Sequence, residues 1–197
     1  MKVTKFFDTK KFPLLSKSID SVLLRVDYPW RFDSMIFILD DTNYFKLKDG
    51  EAEIHLDYGL VYHEDERFLK SAVMRIIFAM ITSLNNMSTG VRIIDEILAN
   101  REMSRKGFGE DLFYYYYLKF LGKKEIDTIE KYIEMNVPWL SIEGYDSQVL
   151  REMVERISSQ HGKAFQRKAK KLLDVLSKDL NNEKNLKNAI KWHKKIA

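Results

Sequence analysis

The sequence has no cysteine. That excludes disulfides, zinc–thiolate sites and iron–sulfur ligation together. Its four histidines are His55, His63, His161 and His193, and no two fall at the i, i+4 spacing that makes a two-imidazole metal face. The acidic run His63-Glu64-Asp65-Glu66 reads as the N-terminal cap of a helix, so no metal site is expected. There is no GxSxG elbow, no Walker loop and no GxGxxG fingerprint, so no cofactor is expected either. No run of about 18 apolar residues occurs, which argues against a membrane span. The opening MKVTKFFDTKKF has charges where a signal peptide needs an apolar core, so a cytoplasmic protein is expected. Neither a repeat nor a low-complexity linker is present.

What is present is an ordinary globular composition. Of 197 residues, 45% are hydrophobic and 31% charged, enough for one large domain or a core with an appendage. The central stretch is Phe68–Leu84, with apolar residues at Phe68, Leu69, Ala72, Val73, Ile76, Ile77, Met80, Ile81 and Leu84. That i, i+1, i+4, i+5 recurrence is a broad helical stripe, with Lys70, Ser71, Arg75 and Thr82 mostly outside it.

Before it, residues 1–11 read as a basic lead-in whose Phe6 and Phe7, with Phe12, tuck against a core. A helix over Leu14–Val26 follows, ended by Tyr28-Pro29-Trp30. The period then changes to two. Met35–Leu39 reads as a strand, and Asn43–Lys48 and Glu51–Asp57 flank Asp49-Gly50, the signal for a type I′ hairpin. Setting Lys48 opposite Glu51 pairs Leu47 with Ala52, Lys46 with Glu53 and Phe45 with Ile54. One face is then apolar and the other carries opposite charges.

After the central helix, Asn85-Asn86 is the stop, and Ser88 or Thr89 caps a helix over Gly90–Arg105. Gly107-Phe108-Gly109 is a break. Glu110–Leu121 is an aromatic helix ended by Gly122, and Asp127–Met135 is helical up to Val137-Pro138-Trp139. Asp146 or Ser147 caps a helix to Gln160, followed by helices over Lys163–Leu180 and Glu183–Ile196. The fold class expected is mainly α (α+β): a helical bundle with a small antiparallel three-strand sheet near the N-terminus. Residues 1–136 would form the core with a β-meander at 34–58. Residues 137–197 would form a basic C-terminal helical segment, the boundary lying between Asn136 and Gly144.

Charge is strongly segregated. Residues 163–197 hold 11 Lys/Arg against 3 Asp/Glu, and residues 33–66 hold 2 Lys against 10 Asp/Glu. The tail points to phosphate neutralisation by Arg167, Lys168, Lys170, Lys171, Lys187, Lys191, Lys194 and Lys195, with Trp192 among them. The acidic section suggests, alternatively, a protein-interaction module whose sheet binds a basic partner. In the aromatic helix, Leu112, Phe113, Tyr116, Phe120 and Leu121 make a buried stripe, which leaves Tyr114 and Tyr115 for a protein partner.

Two resemblances bear on function. Arg156 and His161, spaced Arg-x4-His in a helical context, resemble the motif of HEPN ribonucleases, with Ile157 where that family usually has a polar residue. This resemblance implies an RNA-cleaving enzyme in which Arg156 steadies the scissile phosphate and His161 does acid/base work. The segments AVMRIIFAM, RIIDEILANREMSRKGF and DLFYYYYLKFL, followed by VPWLSIEGYDSQVLREMVERI, resemble the N-terminal domain of the archaeal and eukaryotic primase large subunit over about half the chain. The acidic strand section departs from that pattern, and the family's iron–sulfur domain is missing. The second resemblance implies a non-catalytic subunit of a DNA-replication complex that docks a primase catalytic chain, with no active-site residues to carry over. The expectation is therefore a non-catalytic, nucleic-acid-binding subunit with a protein partner.

Overall fold

The computed structural model describes residues 1–28, 32–85, 87–121, 126, 128–145 and 147–196, without the side chain of the last. The expected roles of Pro29, Trp30, Asn86, Gly122, Asp127 and Asp146 lie outside the described residues. The chain forms two compact units, residues 1–80 and 81–197. Among the described residues no helix is long and apolar enough to cross a membrane.

In the first unit, strand β1 (Lys2–Phe6) is followed by helix α1 (Pro13–Arg25) and strands β2 (Ser34–Asp40), β3 (Tyr44–Lys48) and β4 (Glu51–Asp57). The sheet has four strands in the order β1-β2-β4-β3. β1 runs parallel to β2 and β2 parallel to β4, while β3 and β4 are antiparallel. The three-strand antiparallel meander is thus corrected to a mixed sheet. Burial explains the order. Ala52, Ile54, His55 and Leu56 of β4 are buried, whereas Lys46, Leu47 and Lys48 of β3 are exposed. The better-buried strand takes the centre and the charged one takes the edge, where lysines discourage further pairing.

The hairpin keeps the expected register, Lys48 with Glu51 through Phe45 with Ile54. Asp49 (φ 47°) and Gly50 (φ 81°) are both left-handed, as a type I′ turn requires. The lead-in, by contrast, is a strand. The Lys5 ammonium donates to Ser16 O, Ser16 Oγ and Asp20 Oδ2 of α1 at 2.9, 2.9 and 2.7 Å. Alternation along β1 then sends Phe6 to the opposite face, where it is 67% exposed rather than tucked in.

Helix α2 (Glu66–Leu84) begins at an acidic cap, as the sequence implies. Asp65 Oδ1 accepts from Phe68 N at 2.9 Å, and Glu66 pairs with Lys70 and Lys17. The helix is buried more fully than its stripe suggests, because Met74, Phe78, Ser71 and Thr82 are also inside. Ser71 tolerates this by donating its hydroxyl to Arg67 O at 2.8 Å.

The second unit holds helices α3 (Arg92–Met103), α4 (Gly109–Phe120), α5 (Ile129–Ser141), α6 (Gln148–Ser159), α7 (Lys163–Leu176) and α8 (Glu183–Ile196). At the start of α3, Asp95 reaches back to accept from Thr89 N and Thr89 Oγ1, both at 2.7 Å. One π turn (Ser104–Phe108) joins α3 to α4, and Gly107 at φ +88° makes the break. The buried stripe of α4 is Leu112, Tyr115, Tyr116 and Phe120. Tyr116 is tied into the core by Asn100 Nδ2 and Glu96 Oε1, each at 2.7 Å from its hydroxyl.

Helix α5 does not stop before Pro138 but runs through it to Ser141. Proline inside a helix costs about 3 kcal/mol. Burial of Tyr132, Ile133, Met135, Val137 and Pro138 itself, spread around a helix with neighbours on several sides, offsets that cost. Residues 136–141 are therefore helix interior, and the two compact units divide within α2 instead, between Met80 and Ile81. Helix α5 packs on α3, α4, α6 and α7, and α7 packs on α8.

The α3–α5–α7 arrangement is fastened by Arg101. Its guanidinium donates to Leu140 O, Lys178 O and Leu176 O at 2.8, 2.9 and 2.8 Å. Leu140 and Leu176 lie in the last turns of α5 and α7, whose carbonyls lack partners within their own helices, and Lys178 lies two residues past the end of α7. Arg101→Met should lower unfolding free energy by about 2–4 kcal/mol, measured by urea denaturation, because three carbonyls lose a charged donor. Arg101→Lys should recover less than half of that, since an ammonium cannot reproduce the planar fork.

Candidate nucleic-acid interface

Helices α7 and α8 are both amphipathic, and their opposite sides differ sharply. The apolar seam contains Ala169, Leu172, Leu176, Leu180 and Ala189, all buried. Asn182 fixes where α8 starts, its Oδ1 accepting from Lys184 N and Asn185 N at 3.1 and 3.2 Å. On the solvent side, Arg167, Lys168, Lys170, Lys171, Lys187, Lys191, Lys194 and Lys195 are all exposed.

The two helices bring part of this set into direct contact. Lys171 Nζ of α7 lies 5.6 Å from the ring centroid of Trp192, and Lys195 Nζ of α8 lies 5.4 Å from it. Trp192 is half-buried. Arg167 and Lys168 are one turn before Lys171 and share its side of α7. Lys187 and Lys191 precede Lys195 by two turns and one, forming a stripe along α8. Lys170 and Lys194 flank these rows on the outer side. Of the eight cations, Lys187 forms an i, i+4 pair with Glu183 and holds that carboxyl below its ordinary range. The other seven make no ion pair among the described residues. A row of unneutralised ammonium groups beside an indole ring is a surface for polyanions.

The other sequence-derived candidates fare differently. Arg156 is exposed in the last turn of α6, while His161 lies beyond the helix end and stacks on Phe165, centroids 4.0 Å apart at 13°. Among the described residues no hydrogen bond or ion pair joins Arg156 to His161. Tyr115 is 8% exposed and belongs to the core stripe, which corrects its assignment to an outer face. The i, i+3, i+4 spacing of Leu112, Tyr115 and Tyr116 decides this, and the expected stripe member Leu121 is instead 49% exposed past the helix end. Tyr114 is half-buried.

One polar cluster was not foreseen. On the sheet face opposite the Met35, Phe37 and Ile54 side, the His55 ring sits against Tyr44 (4.0 Å, 11°), with Nδ1 2.8 Å from Asp40 Oδ2 and Nε2 3.3 Å from Glu53 Oε2. Tyr44 donates to Asp40 Oδ2 at 2.7 Å. That bond, the Asp41 amide and His55 hold the Asp40 carboxyl below its usual range, and Asp40 in turn pushes the Tyr44 hydroxyl up. Only the parallel pairing of β2 with β4 brings Asp40 to His55, so spacing along the chain gives no sign of it.

Three more carboxylates of the acidic section are engaged. Glu51 accepts from Ser34 Oγ at 2.8 Å, Asp57 from Gly59 N at 2.7 Å, and Glu53 lies 3.9 Å from Lys46. Comparison of the chain with protein families, with characterised proteins and with solved structures gives no match.

The depressed Asp40 carboxyl has a consequence for acid stability. Its contribution is present above the ordinary carboxylate pKa, near pH 4, and is lost as pH falls through the lower folded value. Asp40→Asn should therefore be less stable than the parent protein at pH 7. The two urea-denaturation curves should converge as the pH is taken below about 4.

Proposed function

We propose that this chain is a non-catalytic component of a nucleic-acid-processing assembly, using the α7–α8 face to hold phosphates. The observation that carries the reading is the free state of the tail cations. Seven of the eight named Lys/Arg side chains make no ion pair among the described residues, although the chain holds 29 Asp and Glu residues. The acidic section, by contrast, has Asp40, Glu51, Glu53 and Asp57 bonded within its own sheet and the turn after it. This favours a ligand for the basic face over a basic partner for the acidic one. The resemblance to primase large subunits fits a chain that binds and positions without performing a reaction, and on that reading the protein partner is a primase catalytic chain.

The reading is tested by binding of fluorescent oligonucleotides as a function of salt. If about five phosphates are contacted, affinity should fall about 100-fold between 50 and 200 mM monovalent salt. Charge reversal at two central positions, Lys170→Glu with Lys171→Glu, should cost a further tenfold or more, with the fold checked by circular dichroism. Absence of binding at 20 mM salt overturns the proposal. RNA cleavage that disappears in His161→Ala would move the function to the ribonuclease reading.

A further inference from the structure

A basic face alone does not distinguish one strand from two, but the indole of Trp192 does. We infer that the ligand of this face is single-stranded nucleic acid, one base of which stacks on Trp192 in place of the ammonium groups of Lys171 and Lys195. The inference rests on the phosphate-binding reading above and narrows it.

The first support is the accessibility of the ring. Two ammonium groups, from different helices, lie 5.6 and 5.4 Å from its centroid. A ring approached by two hydrated side chains is not sealed under apolar neighbours, and Trp192 is accordingly only half-buried. Lysine stems are flexible and their heads are mobile point charges. Both ammonium groups can swing from the indole to phosphates, and the ring they leave is then covered by a base. A flat heteroaromatic base fills that position better than an ammonium, because base–aromatic stacking exceeds an exposed cation–π contact.

The second support is the shape of the charge. Lys184, Lys187, Lys191 and Lys195 recur at intervals of three, four and four residues along α8. On a helix this is a single row, with steps of about 4.5–6 Å and a length of about 16 Å. One row serves one phosphate rail. A duplex turns its base faces inward and shows only edges in its grooves, so it offers nothing for Trp192 to stack on. An unpaired strand offers a rail and a free base face together. Lys171, reaching over the indole from α7, supplies a cation for the next phosphate.

The experiment compares a 12-nucleotide oligothymidylate with a 12-base-pair duplex at 50 mM salt, by fluorescence anisotropy, on the full chain and on Trp192→Leu and Trp192→Phe. The single strand should bind at least tenfold more tightly than the duplex. Trp192→Leu should weaken single-strand binding by about tenfold while leaving duplex binding and the salt slope unchanged, and Trp192→Phe should keep most of the affinity. Protein fluorescence should be quenched by the single strand, with that quenching reduced in Trp192→Phe. If Trp192→Leu weakens both ligands equally, Trp192 serves the packing of α8 and the inference fails. Equal binding of strand and duplex also overturns it while leaving the phosphate-binding reading in place. Failure of both ligands to bind removes the two together.

Discussion

Three carbonyl oxygens at the ends of two helices need a donor, and Arg101 is the side chain that reaches all of them. The guanidinium is partly withdrawn from water, and burial is the main reason its pKa is lowered, with Arg105 acting the same way and Asp179 opposing. It remains a cation at the negative ends of two helix dipoles. Because Leu140 closes α5 and Leu176 closes α7, this one group from α3 sets where α7 ends. It therefore sets where the turn to α8 begins. The aromatic edge of Tyr132 against Phe165, centroids 5.7 Å apart, holds the other end of the α5–α7 contact. With α7 fixed on α5 at both ends, α8 packs on a positioned helix, and the two together present a defined outer surface.

That surface is electrostatically unfavourable on its own. The last 35 residues hold 11 cations against 3 acids, and like charges along one helix repel at i, i+3 and i, i+4. Among the described residues, the one carboxylate paired with any of the eight cations of the face is Glu183, beside Lys187. Elsewhere the same chain neutralises its charges readily. Arg92 bridges Glu96, Glu130 and Glu134, and those carboxylates outweigh desolvation to raise its pKa. Lys5, Lys17 and Lys70 each find a carboxylate. What sets the α7–α8 face apart is that seven cations, without an ion pair among the described residues, gather around an aromatic ring.

How much of this was legible in the sequence depended on the range of the interaction. The hairpin register, the acidic cap of α2 and the extent of α8 are local, and the residues that decide them are within a few positions of one another. Asp49-Gly50 dictates its turn whatever surrounds it. The strand order was not legible, because it depends on which strand the rest of the unit buries, and β2 pairs directly with β4 while β3, next in the chain, goes to the edge. Pro138 shows the same limit from the other side. Its local propensity is against a helix, and the packing of α5 overrides it. Tyr115 was misplaced because four consecutive tyrosines leave no contrast in hydropathy from which to read a phase.

The eight cations and Trp192 were legible as a set of residue types, but not as a surface. Composition reports that charge is concentrated, while only the α7–α8 pairing places Lys171 over the same ring as Lys195, 24 positions further along the chain. Arg156 and His161 are the reverse case. Their spacing is suggestive in one dimension, yet α6 ends between them, so a helical phase cannot carry the relation across. A five-residue separation constrains geometry only while one regular element spans it. Packing of α7 on α8, with α7 itself tied to α5 by Arg101 at one end and by the Tyr132–Phe165 contact at the other, constrains residues far apart in sequence. It is that longer constraint which turns a basic composition into a row of charges with an indole beside it.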